Sequence, residues 1–159
     1  MGATSTDWAV PLPRRPAPIL QAIVGGISMG VRSSSVGKGP VLVIDDDADM
    51  LAMVEMVVGS EGYRVLTAAN GEEGLEQVSR QMPSLILLDM RMPVMDGWRF
   101  TEEFRSRYNR RAPIIVMTAA ENAKARAEEI KADGYLAKPF DLDQLFACVR
   151  RYVGPATAQ

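Results

Sequence analysis

The sequence contains no histidine, and Cys148 is the only cysteine among its 159 residues. Without histidine the chain cannot carry a Ser-His-Asp or Cys-His catalytic site, an imidazole metal site or a phosphohistidine of its own. A single cysteine excludes an internal disulfide and a thiolate zinc cluster, and it fits a reducing, cytoplasmic location. The longest apolar stretches fall short of the roughly 18 residues that a membrane span requires, so no transmembrane helix is predicted.

Charge is balanced along the whole chain, with 18 basic and 20 acidic residues, so no overall field favours binding to nucleic acid or membrane. The balance hides an asymmetry, because residues 1–39 carry a net charge of +3 and the remainder carries −5. Closely spaced prolines and a serine- and glycine-rich stretch interrupt regular structure in this first part. We predict a flexible N-terminal extension over 1–39, a folded domain over 40–154 and a C-terminal tail over 155–159.

From residue 41 onward, short aliphatic runs alternate with stretches of helical periodicity. The aliphatic runs predict five strands, over residues 41–45, 64–68, 84–89, 113–118 and 134–138. Nearly continuous aliphatic strands indicate burial on both faces, so the pattern predicts an α/β fold with a doubly wound parallel sheet between layers of helices. The periodicity leaves the strand order open.

The helices after the fourth and fifth strands differ in the strength of their predicted inner faces. The last helix has four large apolar residues on this face: Leu142, Leu145, Phe146 and Val149. The fourth helix has only Ala123, Ala127 and Ile130. Because loosely packed elements tend to move in conformational switches, we expect the fourth helix to be the element most free to shift.

Polar side chains close four of the five predicted strands. Asp45 and Asp46 follow the first strand, Asp89 the third, Thr118 the fourth and Lys138 the fifth. In a doubly wound sheet, ligands bind outside the carboxyl ends of the strands, which form one edge. We therefore expect these five side chains to converge there.

Three neighbouring carboxylates cannot all stay ionised without a compensating cation. Mg²⁺ is the abundant divalent ion that prefers oxygen ligands, and it would also neutralise phosphoryl oxygens. Lys138 would be a second cation, Thr118 a hydrogen-bond donor and one carboxylate the nucleophile. The pattern predicts phosphoryl transfer to an aspartate.

Most of these residues also have a simpler interpretation, whereas a lysine between a strand and Pro139 has no local structural task. Consecutive aspartates often lie at a helix N-terminus, which we expect to be the role of Asp47 and Asp49. Asp89 alone resembles a turn residue, and Thr118 is a candidate cap for the following helix. The three methionines of residues 90–95 are predicted to be packing residues, because thioethers suit soft metals.

The motifs VIDDDADM, LILLDMRMPVMDG, VMTA and GYLAKPF, in this order, resemble those of response-regulator receiver domains of the CheY-like kind over about residues 40–154. The resemblance implies two-component or phosphorelay signalling and a flavodoxin-like sheet of order 2-1-3-4-5 with five helices. It implies that Asp89 is the phosphoacceptor, that Lys138 contacts the phosphoryl group, and that Thr118 and Tyr135 form the switch pair.

The same resemblance implies a Mg²⁺ site. Asp46 and Asp89 would bind the ion, Asp45 would bind it through water, and the backbone carbonyl of Arg91 would be the remaining protein ligand. The Lys138–Pro139 peptide bond is expected to be cis. Arg91 and Ala120 occupy positions that flank the path of the hydrolytic water, and since Ala120 cannot orient a water we expect a long-lived phosphoryl group.

The expected phosphodonor is a histidine kinase or a histidine phosphotransfer protein, since this chain has no histidine. The expected output is a contact between a downstream protein and the face formed by the fourth helix, fifth strand and fifth helix. We expect a stand-alone receiver, a monomer or weak dimer that binds neither nucleic acid nor membrane. It would take one phosphoryl group per chain and would not turn over as an enzyme does.

Two alternatives remain at this point. A haloacid-dehalogenase-like phosphatase has a DxD signature at a strand end, which Asp45 and Asp47 satisfy, but it needs a second acidic pair after a later strand. Here Asp141 and Asp143 precede a helix instead. The other alternative is an interaction module that works without phosphorylation.

Overall fold

The computed structural model of the protein describes residues 39–109 and 111–156. Five strands alternate with five helices, in the order β1 (Val41–Ile44), α1 (Ala48–Ser60), β2 (Val65–Ala68), α2 (Gly71–Arg80), β3 (Leu85–Asp89), α3 (Gly97–Tyr108), β4 (Ile114–Ala119), α4 (Ala120–Glu129), β5 (Gly134–Lys138) and α5 (Leu142–Val153). The predicted flexible extension lies outside the described residues, apart from Gly39.

The strands form one parallel sheet in the order β2-β1-β3-β4-β5, which confirms the fold class and the strand order. Every residue of β1 and β3 is buried. Alternate residues of β1 face opposite sides: Leu42 and Ile44 pack with α2, α3 and α4, whereas Val41 and Val43 pack with α1 and α5. The sheet is therefore doubly wound, and burial on both faces explains the unbroken aliphatic runs.

Side-chain caps set where most of the helices begin. Asp47 caps α1 by accepting hydrogen bonds from the backbone N–H groups of Asp49, at 2.9 Å, and Met50, at 3.3 Å, which confirms its predicted role. Asp141 begins α5 with a capping box. In contrast, α4 begins at Ala120, and its N-cap position, Ala119, provides no side-chain hydrogen bond. Thr118 is therefore not the cap that its simpler interpretation required.

The inner face predicted for α5 is partly wrong. Leu142, the first residue of the helix, is 48% exposed. Two residues that were not predicted, Cys148 and Val153, are buried in its place. In α4, by comparison, Ala123, Ala127 and Ile130 are buried as predicted.

The C-terminal end of the described chain contacts the core. The Tyr63 hydroxyl donates to the Gly154 carbonyl at 2.7 Å, and Ala156 packs against the α1–α5 side of the sheet. The first part of the predicted tail is thus attached to the domain. Within residues 39–109 and 111–156, every helix is too short or too polar to cross a bilayer.

Candidate functional site

The carboxyl ends of β1 and β3 lie side by side and bring three aspartates together. Ile44 is in register with Leu88, so Asp45 and Asp89 follow at neighbouring positions. One carboxylate oxygen from each of Asp45, Asp46 and Asp89 lies within 4.8 Å of the others. Asp45 is fully buried, Asp89 is 9% exposed and Asp46 is open to solvent. The convergence expected of these three residues is present.

Lys138 reaches this cluster from the end of β5. Its Nζ lies 2.6 Å from Oδ2 of Asp45, whose other oxygen accepts a 2.9 Å hydrogen bond from the Asp47 backbone N–H. The buried Asp45 carboxylate is therefore paired on both oxygens, as a buried charge requires. The Lys138–Pro139 peptide bond is cis, as the resemblance implies.

Burial raises the pKa of the Asp89 carboxyl from 3.8 to about 6. The Lys138 ammonium opposes this shift, Asp45 and Asp46 add to it, and the Met90 N–H, which donates to Asp89 Oδ1 at 2.8 Å, lowers the pKa again. Burial therefore disfavours the ionised form of the predicted phosphoacceptor. A cation placed among the three carboxylates would favour its ionised form.

Thr118 lies on β4, the strand next to that of Asp89, and Tyr135 lies on β5, one strand further out. Asp89 is in register with Met117, so Thr118 is one position further toward the carboxyl edge of the neighbouring strand. Tyr135 is half-buried and packs against the core on the α2–α4 side. Arg91 is exposed in the loop that follows Asp89.

The loop of residues 90–97, here called the phosphoacceptor loop, is closed by a glycine whose role the sequence analysis did not identify. The Gly97 N–H donates to the Met90 carbonyl at 2.9 Å. A Cβ on Gly97 would lie 2.7 Å from the Asp89 carbonyl oxygen, closer than real Cβ contacts come. The available signal was the Asp-Gly pair before a helix. Met90 and Met95 are buried, and Met92 is partly buried, so these methionines are packing residues as predicted.

A doubly wound sheet of order 2-1-3-4-5 with an acidic cleft and a lysine at its carboxyl edge defines a class of CheY-like signalling domains. Residues 41–150 match the family described as the response regulator receiver domain. The chain belongs to this family, the receiver domains of two-component response regulators.

The relatives include both longer regulators and isolated receivers. The chain is 38% identical over 115 residues to "Probable transcriptional regulator ycf27" of Porphyridium aerugineum, covering 71% of this chain and 47% of that protein. It is 39% identical over 112 residues to "Transcriptional regulatory protein PrrA" of Mycobacterium tuberculosis, covering 69% and 48%. The chain thus spans about half the length of the curated relatives it matches.

Two solved structures support the same assignment. The receiver domain of the sensor histidine kinase PA1611 from Pseudomonas aeruginosa PAO1 is 33% identical, with a TM-score of 0.65, over 73% of this chain and 98% of that one. That structure has a magnesium ion coordinated in its active-site cleft. The chemotaxis protein CheY4 of Vibrio cholerae is 31% identical, with a TM-score of 0.65, over 71% and 97%.

Proposed function

We propose that this chain accepts a phosphoryl group on Asp89 from a phosphohistidine of a separate histidine kinase or histidine phosphotransfer protein. The observation that carries the proposal is the cluster of Asp45, Asp46 and Asp89, whose oxygens lie within 4.8 Å of one another beside the ammonium of Lys138. Three carboxylates and one ammonium leave an excess of negative charge, which a divalent cation offsets.

The residues fit Mg²⁺ as the cofactor. Carboxylate oxygens are the donors this ion prefers, and the magnesium-bound PA1611 receiver supports the choice. Asp46 and Asp89 would hold the ion directly, Asp45 through water, and the Arg91 carbonyl would complete the protein ligands. When bound, Mg²⁺ supplies positive charge to the phosphoryl oxygens during transfer.

The protein's own groups have defined tasks in this proposal. A carboxylate oxygen of Asp89 forms a bond to phosphorus while the bond between phosphorus and the donor's histidine nitrogen breaks, and that nitrogen keeps the electron pair. Lys138 neutralises charge on the phosphoryl oxygens. Thr118 donates its hydroxyl to one of them, and Tyr135 then moves inward.

The output proposed for this switch is a changed protein contact on the α4–β5–α5 face. We further propose a receiver unit of residues 40–154 that acts in the cytoplasm as a monomer or weak dimer, through proteins rather than nucleic acid. The start of β1 at Val41 and the end of α5 at Val153 support these bounds. The expectation of a stand-alone receiver is not part of this proposal, since the matched segment makes up only 47% and 48% of the two curated relatives named above.

The phosphatase alternative loses its support in the structure. Asp47, the second acid of the DxD signature, caps α1 and does not belong to the acidic cluster. Asp141, the first acid of the later pair, caps α5. The interaction-module alternative is not favoured either, because the three clustered carboxylates and the Lys138 ammonium beside them are groups that phosphoryl transfer would use.

The test is labelling by a small phosphodonor, such as phosphoramidate, with and without Mg²⁺. Wild-type protein should gain the mass of one phosphoryl group only with Mg²⁺, in a form that hydroxylamine removes. Asp89→Asn should gain none. Asp96→Asn is the matched control, because Asp96 lies in the same loop but is exposed and caps α3, a task that Asn also performs. Full labelling of Asp89→Asn would exclude Asp89 as the acceptor.

A further inference from the structure

The start of α2 packs directly against the phosphoacceptor loop. The N–H of Gly71, its first residue, donates to the Met95 carbonyl at 3.0 Å. A Cβ on Gly71 would lie 2.7 Å from Cγ of Met95 and 2.8 Å from its carbonyl oxygen. Glycine is required at position 71 because two backbone segments from different strand–helix units approach each other closely there.

The helix side of this contact is firmly held. Asn70 caps α2 by accepting from the Glu73 N–H at 3.0 Å, and the Glu73 carboxylate accepts from the Ala69 N–H at 2.9 Å. One turn later Gly74 is packed against the sheet, where a Cβ would lie 2.5 Å from Cδ1 of Ile44. Any atom added at Gly71 must therefore displace the loop, not the helix.

The loop side is held at its other end as well. The Gly97 N–H to Met90 carbonyl bond fixes the base of the loop next to Asp89. Between these two attachments, Val94 has a φ of +68°, a left-handed conformation that is unfavourable for a β-branched residue. Tertiary contacts therefore hold the loop in a shape that the backbone preference of Val94 disfavours.

We propose that Gly71 is a positioning residue for phosphoryl transfer. Through Met95 it holds the segment that carries Arg91, whose carbonyl is the proposed backbone ligand of the metal. This inference rests on the proposed function and adds to it the first residue of α2, a helix that contributes nothing to the acidic cluster itself. A residue that orients a metal ligand from outside typically changes metal affinity by about 10- to 100-fold when replaced.

The experiment compares Gly71→Ala with Gly74→Ala. Both substitutions add one methyl group to a closely packed glycine at the start of α2. The Gly74 methyl meets side-chain atoms of Ile44 and Phe100, at 2.5 Å and 3.1 Å, whereas the Gly71 methyl meets the loop. For each variant we would measure thermal unfolding without Mg²⁺, the Kd for Mg²⁺ by calorimetry, and the rate of phosphorylation by phosphoramidate.

Both variants should unfold at a lower temperature than wild type. Only Gly71→Ala should weaken Mg²⁺ binding, by on the order of tenfold, with a matching loss in phosphorylation rate at low Mg²⁺. Equal Mg²⁺ affinities in the two variants would overturn the inference. Should Gly71→Ala fail to fold, Met95→Ala decides: it removes the side chain that Gly71 abuts, and unchanged Mg²⁺ affinity there would overturn the inference equally.

The wild-type protein separates this inference from the proposed function. Wild type that neither binds Mg²⁺ nor takes up phosphate contradicts both. Wild type that does both, with Gly71→Ala no worse than Gly74→Ala in Mg²⁺ binding, contradicts the positioning role alone.

Discussion

The ammonium of Lys138 and the carboxylate of Asp45 form an ion pair of 2.6 Å, although β5 and β1 are separated in the sheet by β3 and β4. The pair therefore spans the strand end that carries Asp89. Asp45 is 1% exposed and Lys138 is 24% exposed, so water screens this pair poorly. Removing one member would leave the other charge without its counter-ion.

The first prediction concerns this pair. Lys138→Met should lower the free energy of unfolding without Mg²⁺ by about 3 kcal/mol, because a buried carboxylate loses its cation. Added Mg²⁺ should recover part of the loss. Urea denaturation measures both effects. Lys124→Met is the control, since that lysine is 75% exposed and its ion pair with Glu128 is 4.0 Å long. Similar losses in the two variants would contradict the importance of the buried pair.

The second prediction is a pH dependence that Asp89 causes. Burial raises the pKa of its carboxyl to about 6, so between about pH 4 and pH 6 the folded protein keeps a proton that the unfolded chain has released. Stability must then fall as the pH rises through this window. Asp89→Asn removes the titrating group, so without Mg²⁺ the variant should be the more stable protein, by a margin that grows up to about pH 7.

Mg²⁺ should act in the opposite direction. A dication favours the ionised carboxylate, so in wild type it offsets the cost of ionising Asp89, and the margin in favour of Asp89→Asn should shrink. Thermal unfolding of both proteins across this pH range, with and without Mg²⁺, tests the prediction. A margin that stays constant with pH would show that Asp89 has an ordinary pKa.

The elements that sequence could predict are those whose signal is local. Aliphatic runs predicted both ends of every strand to within one residue, and the fifth strand agrees at both ends, Gly134 and Lys138. Parallel strands end at a common edge, so the polar residues that closed them gave the acidic cluster directly. The strand order came from the resemblance, because a run of buried residues does not specify its neighbour.

The contacts that sequence could not predict join residues far apart in the chain. Gly71 begins α2 whereas Met95 lies in the loop before α3, and a glycine at the start of a helix has no unique signature. Leu142 continued the apolar period of α5 yet is exposed to solvent. Periodicity reports which face of a helix is apolar, but it reports neither where the sheet ends nor which polar groups fasten the helix.

The anchoring of α4 shows this limit most clearly. The Trp98 indole N–H donates to Glu129 at 3.0 Å, and the Arg126 guanidinium lies 5.4 Å from the centre of the Trp98 ring. Arg105 of α3 donates to the carbonyls of Ile130 and Lys131, just beyond the end of α4. The end of α4 is thus fastened to α3 by polar contacts, whereas its start, beside Thr118, has no side-chain cap from the described residues.

The third prediction follows from this asymmetry. The expected freedom of α4 should be concentrated in its first turn, so amides near residue 122 should exchange with solvent faster than those near residue 128. The Arg105 guanidinium donates to two carbonyls through one planar group, which a lysine ammonium cannot do. Arg105→Lys should therefore speed the exchange of backbone amides in the last turn of α4. Hydrogen exchange with mass spectrometry measures these amide exchange rates.

Arg107→Lys is the control, because Arg107 pairs with Glu103 within α3. Uniform exchange along α4 would contradict the prediction.

The fourth prediction concerns the lifetime of the phosphoryl group. Ala120 and Arg91 are both exposed near the site, and the alanine methyl group offers no atom that holds a water for attack on phosphorus. The wild-type half-life should therefore be minutes or longer. Ala120→Gln should shorten it, because a carboxamide can orient the attacking water. Loss of the phosphoryl mass after removal of the donor gives the half-life.

Ala125→Gln adds the same side chain at another exposed position of α4 and should leave the half-life unchanged. A wild-type half-life of seconds would mean that Ala120 does not limit hydrolysis.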